Sequence, residues 1–169
     1  MGTIHQNLLP ELDQEWATTR RLVAVAPPAK TDWRPHPKSM SLGDLVTHLA
    51  NIPTWVPLTL MATELDLAPP GGPPWVPPKF TSGQDALKTL DANVQGARAC
   101  ILAASAADWS VPWTLKKGGV ALFTLPRAAC IRSFVMGHMV HHRGQLSVYL
   151  RLCDVPVPAV YGPTADERF

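Results

Sequence analysis

Phe134-Val-Met-Gly-His138-Met-Val-His141-His142-Arg143-Gly-Gln145-Leu-Ser-Val-Tyr149-Leu150 reads as one helix, because its apolar residues recur at intervals of three and four. Residues at that spacing share a helix face. His138 and His142 are four apart, about 40° around the axis, and Gln145 and Tyr149 continue their stripe. Two imidazoles stacked this way can grip one metal ion, as in the two-histidine half of helical zinc motifs. His141 lies about 100° from His142 and is expected outside the ligand set. Three of the six histidines fall in these five residues, which favours a metal over a solvated face. A pair supplies only two ligands, and a catalytic site commonly takes three.

Length and composition bound the rest. A chain of 169 residues with 46% apolar content predicts a single domain, spanning 1–169, with a real core. The net charge of +2 comes from scattered residues, so neither nucleic acid nor an anionic membrane is indicated as a partner. No apolar stretch is long enough to span a bilayer, and the acidic N-terminal segment is not a signal peptide. Cys100, Cys130 and Cys153 are odd in number and far apart, which points to reduced thiols and a cytoplasmic location. Cys100 and Cys130 are expected in the core and Cys153 nearer the surface.

The first helix is expected from Asn7 to Val25, with Leu12, Trp16, Thr19, Val23 and Ala26 inward, Pro10 in its first turn and His5 exposed before it. His36, between two prolines, is expected at the surface. Ser41 and Asp44 form a capping box that opens a second helix running to about Glu64, kinked or broken at Pro53 and Pro57. His48 lies two turns into it, among Leu45, Leu49 and Ile52. A lone histidine there is usually a core residue. The pair on the last helix lacks a third ligand, however, and that makes His48 a metal candidate. Residues 65–81 are a Pro/Gly-rich crossover, and Ser82 and Asp85 open a third helix that ends near Ala107. Residues on either side of Lys117-Gly-Gly predict a small β-hairpin, with Lys116 and Lys117 as a solvated tip. Thr124, Leu125 and Pro126 are then read as the start of the fourth helix, which ends near Leu152. The tail from Val155 is expected to be extended and packed on the bundle. No phosphate-binding glycine loop and no Gly-x-Ser-x-Gly occurs.

Trp33-Arg-Pro-His36-Pro-Lys-Ser-Met-Ser-Leu-Gly43, Leu45-Val-Thr-His48-Leu-Ala50, Trp113-Thr-Leu-Lys-Lys-Gly-Gly119, the histidine segment and Val155-Pro-Val-Pro-Ala-Val-Tyr161-Gly-Pro together resemble the DinB/YfiT-like family. The resemblance implies an all-α four-helix bundle, up-down-down-up, with a long crossover between helices 2 and 3. It also implies one divalent metal, zinc or nickel, on His48, His138 and His142, and a homodimer, to which an excess of tryptophan adds. Relatives include thiol-dependent transferases, an isomerase and hydrolases.

Three neutral imidazoles would leave such an ion with open positions and Lewis acidity. The expectation is an enzyme acting on a small-molecule substrate, by metal-assisted hydrolysis or by transfer to a low-molecular-weight thiol. The alternative is a non-catalytic or stress-associated protein with a structural ion. Gln145 is the candidate catalytic residue, hydrogen-bonding bound water or substrate, or else an amide packed between helices. Arg143 points off the stripe, toward an anionic substrate or a neighbouring helix. No carboxylate lies on the stripe as a general base.

Overall fold

A computed structural model describes residues 4–73, 76 and 78–168, with side chains from residue 7 onward; His5's side chain and Trp75 lie outside the described residues. The chain is mostly helical, with a small three-stranded sheet. The helices are α1 (Ile4–Ala24), α2 (Leu42–Asn51), α3 (Trp55–Leu60), α4 (Gly83–Ala103) and a last run in which α5 (Arg127–Cys130), a π-helical turn (Ile131–Gly137) and α6 (His138–Leu152) follow without a break.

The stripe Leu12, Trp16, Thr19, Val23 and Ala26 is buried as expected. It meets Leu90, Ala97 and Ile101 of α4, Leu45 and Leu49 of α2, and Met139, Leu146 and Leu150 of α6 in one apolar core. Pro10 does not lie in a first turn: α1 begins at Ile4, so the proline is internal. Its position on the exposed side leaves the unmatched carbonyl toward water.

Ser41 caps α2 as expected. Its Oγ accepts from the Asp44 backbone N–H at 3.1 Å, and the Asp44 carboxylate accepts from the Ser41 N–H at 3.4 Å. The second box is only half formed: Ser82 Oγ accepts from the Asp85 N–H, but the Asp85 carboxylate accepts from the hydroxyls of Ser82 and Thr81. The second helix breaks where the prolines fall. A 3-10 turn over Ile52–Thr54 separates α2 from α3, which stops at Leu60 rather than near Glu64. The third helix likewise ends at Ala103, short of Ala107.

The expected hairpin is present as β2 (Pro112–Lys117) and β3 (Val120–Pro126), turning on Gly118 and Gly119 at φ +62° and +80°, values that a Cβ disfavours. Two readings are corrected here. Thr124, Leu125 and Pro126 belong to β3, where they pair with Thr114, Trp113 and Pro112, and the helix starts at Arg127. A third strand, β1 (Glu64–Asp66), runs parallel to β2, so the fold is not purely α. The Asp66 carboxylate accepts the backbone N–H groups of Ala68, Gly118 and Gly119 at 2.7–2.9 Å, and Lys116 pairs with Glu64 at 2.7 Å. Lys116 is therefore a strand-to-strand contact rather than a solvated tip.

The tail is extended and docked, with Val157 and Ala159 buried. Arg151 with Asp166 and Arg21 with Glu167 hold its end. Arg143 is buried and ties three segments: it pairs with the Glu15 carboxylate at 2.6 Å, donates to the Tyr161 hydroxyl at 2.6 Å and lies over the Tyr161 ring. Of the two roles read for Arg143, the helix neighbour is the one observed. Among the described residues no helix is long and apolar enough to cross a membrane, and the three cysteines are free, with Cys130 buried and Cys100 and Cys153 half-buried.

Candidate metal centre

α2 and α6 pack side by side and bring His48 against the His138–His142 stripe. Nε2 of His138 sits 2.8 Å from Nε2 of His142 and 3.2 Å from Nε2 of His48, and ligand atoms of all three lie within 4.8 Å of one another. A neutral imidazole has one N–H, so His138 cannot satisfy both neighbours with a proton. A cation among the converging nitrogens would relieve the repulsion of their lone pairs. Three nitrogens on a tetrahedral zinc with ordinary bond lengths would stand about 3.3 Å apart, close to the spacing found. The donor set therefore fits one metal ion.

The environment keeps these rings neutral, the form a metal requires. Burial pushes the His48 pKa down to about 4, helped by the proximity of His142 and His138. Burial, with His142 beside it, also lowers His138. Burial lowers His142, and Gln145 opposes the shift. The outer nitrogens differ in their support. Nδ1 of His142 lies 2.7 Å from Oε1 of Gln145. Donating Nδ1–H to that oxygen leaves the Nε2 lone pair facing the group. Nδ1 of His138 is buried without a well-formed hydrogen bond. Its compensation is the carbonyl of Phe134, which favours the protonated ring. The π-helical turn accounts for that carbonyl: the backbone N–H of His138 bonds to Ser133 and Val135 instead.

The other candidates fall outside the group. His141 is exposed and meets only the edge of His142, and His36 is exposed, its Nδ1 accepting from the Lys38 N–H. Tyr149, on the same stripe, packs edge-on against Trp33 and donates to the Met40 carbonyl. Asp44 stays in its cap. Among the described residues no carboxylate or thiolate joins the three imidazoles. Two cavities, of about 180 Å3 between α2, α4 and residues 78–82 and about 210 Å3 between α1 and α4, include none of the three histidines. Sequence reasoning missed the Gln145–His142 contact, although their i, i+3 spacing was a signal for it.

The sequence profile of the DinB superfamily matches residues 11–146, which include all three histidines. The chain belongs to the DinB superfamily. Solved DinB-like structures share the fold of this DinB-superfamily chain. A DinB-like protein from Bacillus cereus superposes with a TM-score of 0.67 at 20% identity, covering 90% of this chain and 95% of that one. One from Bacillus subtilis gives 0.64 at 16% identity, covering 93% and 96%. A DinB-family protein from Exiguobacterium sibiricum gives 0.64 at 20% identity, covering 94% and 97%. No curated protein matches the chain.

Proposed function

We propose that His48, His138 and His142 hold one divalent ion, zinc or nickel, and that the chain is a metal-dependent enzyme acting on a small molecule. The reaction is hydrolysis or transfer to a low-molecular-weight thiol. The observation that carries this reading is the convergence of three neutral Nε2 atoms with no fourth protein ligand among the described residues. A structural ion is usually enclosed by four protein ligands, whereas a catalytic one keeps a position open. Bound there, the ion supplies Lewis acidity, which polarises a carbonyl or stabilises a thiolate. The chain's own residues hold and orient: Gln145 fixes the His142 ring, and the α2–α6 packing fixes His48 against the pair. Among the described residues no side-chain carboxylate joins the three imidazoles as a general base, which favours delivery of a nucleophile already ionised, a thiolate above all.

The bundle's up-down-down-up course and a cytoplasmic home belong to the same reading; the free cysteines are in keeping with the latter. So does a homodimer, supported by Val148 and Leu152, apolar and more than half exposed on the last helix. The tryptophans no longer argue for it. Trp16, Trp109 and Trp113 are buried within the chain, and Trp33 and Trp55 pack against its core.

The test is a titration of the metal-free chain with zinc and with nickel, followed by an anomalous edge scan of crystals. One equivalent per chain, with anomalous density among the three Nε2 atoms, is expected. Density centred elsewhere would refute the site. Loss of the helical circular dichroism signal on chelation at ambient temperature would make the ion structural and remove the enzyme reading.

A further inference from the structure

Beside the histidine group stands a row of aromatic rings. Phe134 lies one turn before His138, with ring centroids 6.3 Å apart. It stacks on Phe123 of β3 at 4.6 Å and faces Trp55 of α3 at 6.0 Å. Trp113 is fully buried and supports both flanks, 6.2 Å from Phe123 and 6.5 Å from Trp55. The three outer rings stay half-buried. The π-helical turn that carries Phe134 is a rare geometry that recurs at functional sites.

Of the four arginines on the run from Arg127 to Leu152, Arg127 pairs with Asp108, Arg132 with Glu11, Arg143 with Glu15 and Arg151 with Asp166. A polyanionic substrate would have to displace a carboxylate to reach a guanidinium of this run. An apolar one finds half-buried aromatic rings next to the metal ligands, packed on the Trp113, Leu115 and Cys130 cluster, where aromatic groups gain from offset or edge-on contact.

We infer that Trp55, Phe134 and Phe123 form a shelf for the body of the substrate. The substrate class is then a small molecule with a flat aromatic or extended apolar body joined to a polar head that reaches the ion. This inference rests on the function proposed above.

Two probes with the same chelating head, acetohydroxamate and 2-naphthohydroxamate, test it. Each is titrated calorimetrically into the zinc-loaded chain, after the zinc isotherm itself has been recorded. The naphthyl probe is expected to bind about tenfold tighter, the ratio that burying about 60 Å2 more apolar surface brings. Phe123→Ala and Phe134→Leu should each cut that preference to about twofold, with zinc affinity unchanged. Phe134→Leu keeps apolar volume, and Phe123 lies on an edge strand, so folding is not the variable read. Equal affinity of the two probes for the native chain, or an undiminished preference in both variants, overturns the shelf alone. A chain that takes up no zinc overturns the proposed function, and the shelf with it.

Discussion

Replacing Gln145 by alanine should weaken metal binding while leaving the metal-free fold intact. Gln145 Oε1 is 2.7 Å from Nδ1 of His142 and is the only hydrogen-bond partner of that nitrogen among the described residues. Without it the ring is free to rotate and to carry its proton on Nε2, where the metal must bind. Loss of such an outer contact typically costs ~10–100-fold in metal affinity. Gln145 is exposed, so water partly replaces the lost acceptor, and the lower end applies: about tenfold, or about 1.4 kcal/mol. The same exposure predicts a change of only about 0.5 kcal/mol in the stability of the metal-free chain. Competition against a chelator of known affinity measures the first quantity, and urea unfolding of the metal-free protein measures the second. Gln145→Glu keeps an acceptor oxygen and should retain the affinity. If Gln145→Ala binds zinc and nickel within about twofold of the native chain, below the range for such contacts, the positioning role is refuted.

Further outcomes follow from the same geometry. His142→Ala should abolish binding of one equivalent while preserving the helical circular dichroism, whereas His141→Ala, an exposed position outside the group, should leave both unchanged; mass spectrometry under native conditions reads the binding and circular dichroism the fold. The metal-free chain should lose stability as pH falls. The folded state holds His48 near pKa 4, below its ordinary 6.5, so the unfolded chain binds more protons. The stabilisation is complete above about pH 6.5 and fades toward pH 4, with a slope of at most about 1.4 kcal/mol per unit, moderated because the ring is only partly buried. Denaturant midpoints across that window should flatten in His48→Gln, and an unchanged slope there would count against the assignment. Asp154 holds a left-handed φ of 60° after the last helix, where the Val155 N–H bonds to Leu150 and the Asp154 N–H to Arg151. Asp154→Gly should therefore raise stability by about 0.5–1 kcal/mol, and a lower melting temperature would contradict that account.

The sequence alone determined what depends on local period and local chemistry. The α1 stripe is buried because positions three and four apart share a face, and Ser41 caps α2 because its hydroxyl reaches three residues along. His138 and His142 meet because one helical turn separates them. His48 was a candidate by elimination and by family resemblance, not by any local pattern; its arrival beside the pair depends on α2 packing against α6, a contact across 90 residues. Tertiary structure likewise decided β1, whose Glu64-Leu-Asp carries no strand pattern and is extended because β2 offers it a parallel partner and Gly118 and Gly119 offer donors to Asp66. It decided that Thr124–Pro126 stay in the sheet, where pairing with β2 outweighs the start of a helix. It decided the π-helical turn that sets Phe134 beside His138, which no period of 3.6 foretells. And it turned Arg143 inward, where Glu15 and Tyr161, far away in sequence, compensate its buried charge.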